Sequence, residues 1–460
     1  MDKNNGAIYD ARKLGKPKMI ILGVQHMFAM FGATILVPIL TGLDISTTLL
    51  MAGLGTLLFH CITKFKVPAF LGSSFAFLGG YAAIKAFSPN DPNSMLPYAC
   101  LGVACAGLIY FILAAVIKAV GIEKVMRFFP PVVTGPIIIA IGLGLAPSAV
   151  SNCTTNWFLA VVALAVIVVF NIWGKGMAKI IPIILGLLIS YGTGLVLYFI
   201  SQANPDLIQN VPWLFSGGAD ANGVYQPIFD FTSLNTICDN ISKGHIFGSE
   251  GLIGIPIHWD KTVFGGIDYS NGALIASSII AIVPIAFATM MEHIGDICAI
   301  SSTTGNNYIK DPGLHRTLVG DGLATTLASL FGGPANTTYG ENTGVLALTR
   351  VYDPRVIRIA AYFAVAVSFF PIVSVIIGSI PSCIIGGISF VLYGMISAIG
   401  VRNVVENKVD FTKSRNLIVA AVILVCALGL SSDTVSFTIG SAAITLSPVS
   451  YTHLTLPTIA

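Results

Sequence analysis

Three carboxylic acids stand where a carboxylate is costly. Glu292 and Asp296 lie in the apolar stretch Met291-Glu-His-Ile-Gly-Asp296, and Glu341 lies in Tyr339-Gly-Glu-Asn342; nearly every other Asp and Glu falls in a polar break or at the end of an apolar run. An ionisable side chain at the bilayer centre costs about 2.5–3.5 kcal/mol even on the gentlest scale, so an acid retained there marks a function. Glu292 and Asp296 are four residues apart, which on a helix puts them on one face, about one turn from each other. No Lys or Arg shares their runs to hold them ionised. Burial and a second acid nearby both favour the protonated form of a carboxyl group. Such a group can take a proton on one side of a membrane and release it on the other, which is what proton-coupled transport requires. A carboxylate acceptor set beside backbone N–H donors also matches the edge of a planar, neutral heterocyclic base.

These acids need a membrane around them, and the composition supplies the argument for one. The chain has 460 residues, 55% hydrophobic and 10% charged, with mean hydropathy +0.85. A soluble domain carries about 25% charge. Roughly 20 apolar residues span the hydrocarbon core as helix. Apolar runs at 18–40, 46–63, 68–86, 97–118, 131–148, 157–173, 179–200, 272–298, 318–332, 335–349, 356–378, 380–399 and 415–431 are candidate spans, and a fourteenth starts near 434 and is cut short. With a cytoplasmic N-terminus, all but Lys85, Lys243 and Lys261 of the 24 Lys and Arg fall on the inside. This bias sets a multi-pass topology in a plasma or bacterial inner membrane. The polar first 17 residues are expected to be a cytoplasmic tail with no cleaved signal peptide, and 201–271 an extracytoplasmic loop without a catalytic role.

Two spans, the third and the tenth, differ from the rest. Val67-Pro-Ala-Phe-Leu-Gly-Ser-Ser-Phe-Ala-Phe77 opens with Pro68 and is interrupted at Gly72-Ser73-Ser74, and Gly333-Pro-Ala-Asn-Thr-Thr-Tyr-Gly-Glu-Asn342 is polar at membrane depth. Each is third in its group of seven. Broken spans at matching positions of two halves point to an inverted repeat with a binding site near the midplane. Extended backbone there must be buried in protein or line a cavity, because lipid cannot pair its N–H and C=O groups. The expected fold is an all-α polytopic membrane protein of two inverted seven-span repeats, fourteen spans with the last incomplete, and short extended segments in the two broken spans. The half-helix N-termini near Ser74–Phe75 and Gly340–Glu341 would offer N–H donors. Phe75, Tyr339 and Tyr393 would offer ring faces, with Ser73, Ser74 and Asn342 as supporting residues. His26, alone in the first span, joins the acids as a candidate for proton coupling, while His293 is expected on another helix face in a structural role.

Other readings fit less well. The eight cysteines form no Cys-x-x-Cys pair and suggest neither a disulfide framework nor a zinc site. No metal or organic cofactor is expected. A net charge of +3 gives no reason to expect nucleic acid as a partner. Glu292-His293-Ile-Gly-Asp296 lacks the second His of the His-Glu-x-x-His motif, so an intramembrane enzyme is disfavoured. An anion exchanger would want a positive residue at a half-helix N-terminus, and Glu341 stands there instead. The tail Ser447-Pro-Val-Ser-Tyr-Thr-His-Leu-Thr-Leu-Pro-Thr-Ile-Ala460 resembles the translation of a sequencing-library adaptor and is expected to be non-native.

Glu341-Asn-Thr-Gly344-Val-Leu-Ala-Leu-Thr349-Arg350 resembles the signature of the nucleobase–ascorbate transporters, a Gln, Glu or Pro followed by Asn-x-Gly, four residues, Thr and Arg, Lys or Gly. Leu71-Gly-Ser-Ser-Phe-Ala-Phe77, His26-Met-Phe-Ala-Met-Phe-Gly-Ala-Thr34, Asp311-Pro-Gly-Leu-His-Arg316 and Leu392-Tyr-Gly394 are similar to its uracil permease branch, and the resemblance runs from about 18 to 446. It implies a core domain from spans one to four (18–118) and eight to eleven (272–378). It also implies a gate domain from spans five to seven (119–200) and twelve to fourteen (379–446), the gate often mediating a homodimer. Glu292 and Glu341 would hold the base, Phe75 and Gly340 would contact it through backbone N–H groups, Tyr393 would be a gate-side tyrosine and His26 a supporting histidine. The implied activity is symport of uracil with a proton or, alternatively, Na⁺. Asp296 departs from the branch, which commonly has His there. Purine-transporting relatives often carry Asp, so a xanthine or uric acid permease is the alternative.

Overall fold

A computed structural model describes residues 7–125, 127, 130–220, 222–429, 435–439 and 442–446. Along the chain come α1 (Lys16–Thr41), α2 (Ile45–Ile62), the short strand β1 (Leu71–Ser73), a 3₁₀ turn at Phe75–Phe77, α3 (Leu78–Lys85), α4 (Leu96–Val120) and a single turn α5 (Ile122–Val125). Then follow α6 (Pro131–Cys153), α7 (Trp157–Trp173) and α8 (Pro182–Ala203). The loop from 201 to 271 carries α9 (Asp206–Asn210), α10 (Pro212–Phe215), a hairpin of β2 (Ser216–Ala219) and β3 (Tyr225–Pro227), α11 (Thr232–Ser242) and α12 (Val263–Gly266). The second half has α13 (Gly272–Ile282), α14 (Ile285–Thr304), α15 (Leu314–Leu330), β4 (Asn336–Thr338), α16 (Gly340–Thr349), α17 (Pro354–Ser368), α18 (Pro371–Gly378), α19 (Ser382–Glu406) and α20 (Ser414–Gly429).

Among the described residues, seven helices are long and apolar enough to cross a membrane, eight if α17 and α18 are one span. The run 356–378 is not straight: α17 and α18 meet at 86°. Pro371 explains the break, since the residue before a proline is pushed out of the helical region and the proline then starts a new helix. Where the sequence predicts the start of a fourteenth span, the described residues form a hairpin of β5 (Val435–Ile439) and β6 (Ala442–Leu446). Val435-Ser-Phe-Thr-Ile439 alternates β-branched or aromatic residues with polar ones, a period-2 pattern too short for a membrane helix. The tail from 447 lies outside the described residues.

Two compact units divide the chain. The first comprises the described residues of Met1–Gly144, Pro256–Ser368 and Ala398–Ala460, and the second Leu145–Ile255 and Phe369–Ser397. In the first, α15 packs on α4 and α2, α17 on α1 and α2, and α13 on α4. Small residues allow these approaches: a Cβ on Gly322 would lie 2.6 Å from the Gly107 carbonyl oxygen. Close backbone contact of this kind drives helix association where burial from water cannot. On the surface of the same unit, residues 8–14 tie the C-terminal end of α14 to the N-terminal end of α17. Tyr9 donates its hydroxyl to Thr304 O (2.7 Å), Ala11 N–H donates to Asp353 Oδ2 (2.8 Å), and Arg355 pairs with Asp10 (2.9 Å). The Arg12 hydrogen bond and the nearby Arg355 hold the Asp10 carboxyl well below the usual carboxylate range.

In the second unit, α7 lies along α8. Asn156 caps α7 and also donates to Ser216 O (2.9 Å) at the start of the β2–β3 hairpin. Tyr191, Tyr198, Phe229 and Phe231 form an aromatic cluster with centroids 4.8–5.9 Å apart, so the loop packs on α8 through its own rings.

A candidate binding site at a two-strand crossing

The site lies within the first unit and is built on the two interrupted segments. β1 and β4 pair antiparallel, with Leu71 opposite Thr338, Gly72 opposite Thr337 and Ser73 opposite Asn336. The ladder extends at both ends through Ser74 N–H to Ala335 O (2.8 Å) and Tyr339 N–H to Phe70 O (3.0 Å). Side chains satisfy further backbone groups. Thr56 Oγ1 accepts from Leu71 N–H (2.9 Å), Thr325 donates to Asn336 O (2.6 Å), and Asn336 Nδ2 donates to Met51 O (2.9 Å). His60 bonds Ala69 O (2.9 Å). Every buried N–H and C=O needs such a partner, and the segments' polar sequence is therefore a consequence of their irregular backbone.

Each strand runs directly into a helix, so two helix N-termini start at the crossing. Phe75 opens one, half-buried, and exposed Gly340 opens the other, with half-buried Glu341 in its first turn. α14 supplies the remaining acids. Thr338 donates to Asp296 Oδ2 (2.8 Å), and a Cβ on Gly340 would lie 4.0 Å from Asp296 Oδ1. Glu292 stands one turn earlier on the same face of α14 and is exposed. Glu292, Asp296, Glu341, Phe75 and Gly340 are thus gathered around one crossing.

Other candidates are placed differently. Ser73 is buried and donates to Thr34 O (3.0 Å), while the buried Ser74 Oγ has no hydrogen-bond partner among the described residues. Tyr339, expected to offer a ring face to a substrate, is instead a brace. It is buried, its ring covers Gly72, and its hydroxyl donates to Ser73 O (2.8 Å). His26 is likewise committed: Asn342 Nδ2 donates to both His26 Nδ1 (3.1 Å) and His26 O (3.0 Å), tying α16 to α1. An imidazole whose Nδ1 accepts keeps its proton on Nε2, so this pair is a strut between helices. Tyr393 is buried on α19 in the second unit.

One residue was missed. Asp321 on α15 is completely buried, although its place near the start of the run 318–332 suggests a span end. α15 starts at Leu314, four residues earlier than the run, which sets Asp321 two turns inside. His293 does point away from Glu292, but into the protein: its Nδ1 lies 3.5 Å from Asp321 Oδ2 and 3.4 Å from Thr338 Oγ1. The available signal was an acid between two glycines, Gly320-Asp321-Gly322, inside an otherwise apolar run.

The chain resembles known proteins over most of its length. The family model described as "Permease family" matches residues 17–435. The chain is 38% identical over 421 residues to a uracil permease of Bacillus caldolyticus, covering 89% of this chain and 85% of the relative. It is 37% identical over 423 residues to a uracil permease of Bacillus subtilis (strain 168), with the same coverage. The transmembrane domain of a cyanobacterium bicarbonate transporter, BicA, superposes with a TM-score of 0.62 at 13% identity, covering 92% of this chain and 98% of that domain, which is a likeness of fold alone. The chain belongs to the nucleobase–ascorbate family of membrane permeases.

Proposed function

We propose that this permease imports uracil together with a proton, binding the base at the β1–β4 crossing. The observation that carries the reading is the convergence of Glu292, Asp296 and Glu341 on two helix N-termini within one unit. The names of the Bacillus relatives support the choice of base. Glu292 and Glu341 accept from the ring N–H groups. Backbone N–H groups at Phe75 and Gly340 donate to its carbonyls, aided by the helix dipoles. One of the three acids carries the proton, and the core, built from spans one to four and eight to eleven, moves against the gate to alternate access. The same reading includes fourteen spans in two inverted sevens, a cytoplasmic N-terminus in the plasma membrane and a homodimer through the gate.

Uptake of labelled uracil at acidic and neutral pH, with and without an uncoupler, tests this. Uptake is expected to be greater at acidic pH and to collapse with the uncoupler. Sodium-dependent, uncoupler-resistant uptake would replace the proton by Na⁺. Asp296 favours a second reading, a purine base such as xanthine. Competition settles it: uracil is expected to displace labelled uracil, and displacement by xanthine alone would overturn the pyrimidine assignment.

A further inference from the structure

Behind the three acids lies a line of polar groups that the proposed binding chemistry does not use. Asp321 of α15 and His293 of α14 are both completely buried, with Oδ2 and Nδ1 3.5 Å apart. Thr338 Oγ1 of β4 lies 3.4 Å from the same His293 Nδ1 and donates to Asp296 Oδ2 at 2.8 Å. Three separate elements therefore place Asp321, His293, Thr338 and Asp296 in sequence, and the far end, Asp296, borders Gly340 at the mouth of α16. The other titratable groups facing this line are Glu292 on α14, Glu341 on α16 and, from α4, Tyr110, which donates to Thr289 Oγ1 (2.6 Å). From α2, Phe59 sets its ring edge-to-face with His293 (6.2 Å). His60, next to it, is turned away to Ala69 O.

A buried Asp with a buried His is costly as structure alone, because two charges leave water and their attraction only partly repays it. Apolar residues would pack α15 on α14 at less expense. We propose that the Asp321–His293 pair is a positioning element that sets the protonation of Asp296 through the Thr338 hydroxyl. With Asp296 ionised, the Thr338 proton points to Asp296, and His293 Nδ1 faces Asp321 Oδ2 at 3.5 Å. When Asp296 gains a proton from the site, that proton bonds to Thr338 Oγ1. The hydroxyl then turns its own proton to His293 Nδ1, so the imidazole that faced Asp321 is engaged by Thr338. One proton enters and one hydroxyl reverses. Loading Asp296 thus changes the hydrogen bonding of the pair behind it.

This inference rests on the acids being the coupling site, and its test separates the two. The protonated-carboxyl band of the full chain, reconstituted in lipid, is titrated by infrared difference spectroscopy, alongside labelled-uracil uptake across the same pH range. Thr338→Val cuts the line with little change in volume, and Thr338→Ser restores the hydroxyl. Thr338→Val and Asp321→Asn are each expected to move the midpoint of the band and of the uptake profile. Thr338→Ser is expected to keep both near wild type, and Asp321→Asn combined with Thr338→Val should shift them no further than the larger single change. A Thr338→Val protein that remains monodisperse and titrates like wild type overturns the proposal. Absence of uracil uptake in the wild type would instead remove the transport reading, and the infrared titration would still decide the pair.

Discussion

The two arms of the crossing share a backbone plan and divide the chemistry unequally. Each runs from Pro-Ala through a three-residue strand into a short helix. The β1 arm ends in Ser73, Ser74 and Phe75, two hydroxyls and a ring. The β4 arm ends in Thr338, Tyr339, Gly340 and Glu341, and it is the arm that meets Asp296 of α14. A symmetric frame with acid on one side suits a flat neutral ring that needs an acceptor at one edge and an apolar face beside it. It does not suit a small anion, because Glu341 already supplies negative charge at the helix end where an anion would bind. The likeness to the transmembrane domain of BicA is one of fold.

The largest effect expected from this asymmetry is at the acids. Glu341→Gln and Glu292→Gln keep shape and remove charge, and a hydrogen bond to a charged group contributes about 1.5–3 kcal/mol. With the loss of any coupling role added, uracil uptake should fall to background in each, while Phe75→Ala on the other arm should raise KM several-fold and leave measurable uptake. Radiolabel uptake at matched expression reads the difference. Wild-type transport in both Gln variants would show that the acid-bearing arm is not the binding arm.

A second contrast sets a glycine of one arm against a glycine of the other. A Cβ on Gly72 would sit 2.5 Å from the Tyr339 ring, whereas on Gly340 its nearest neighbour is Asp296 Oδ1 at 4.0 Å. Overpacking a buried site costs about 1–3 kcal/mol. Gly72→Ala is therefore expected to lower the thermal stability of the detergent-purified protein by several degrees. Gly340→Ala should leave the melting temperature unchanged and raise KM, since the added methyl group stands at the mouth of α16. Equal melting temperatures for the two variants would mean that Tyr339 does not brace the crossing.

The sequence reading and the structure part company where contact is made over long distances. Apolar runs are local, so helices at 16–41 and 96–120 follow from composition within about two residues. Broken segments were also legible, because Pro, Gly and Ser clustered at membrane depth do not sustain a straight apolar helix. Pairing of 71–73 with 336–338 was not, since three residues carry no usable periodicity. Asp321 escaped notice because the apolar run under-reported its helix: the polar turn Leu314-His-Arg-Thr317 reads as loop, yet it is helical in the structure. His293 faces Asp321 and Thr338, because a helix enclosed on several sides makes contacts on more than one face. Tyr339 and His26 each carry hydrogen bonds to other elements, Tyr339 to Ser73 and His26 to Asn342, which no spacing rule could tell.

The smallest and most discriminating contrast lies within the β1 arm itself. Ser73 and Ser74 are adjacent and both buried, but Ser73 donates to Thr34 O at 3.0 Å while the Ser74 hydroxyl has no hydrogen-bond partner among the described residues. A buried polar group without a partner is costly and needs a reason, and a hydroxyl at the start of the Phe75 turn is placed to meet a bound base. Ser73→Ala is expected to cost about 1 kcal/mol of stability, with KM little changed. Ser74→Ala should be neutral or slightly stabilising in the empty protein, raise KM a few-fold, and reduce the rise in melting temperature that uracil produces. If Ser74→Ala shows the full ligand-induced shift, the hydroxyl does not reach the base, and recognition on this arm falls to the backbone N–H groups and the Phe75 ring.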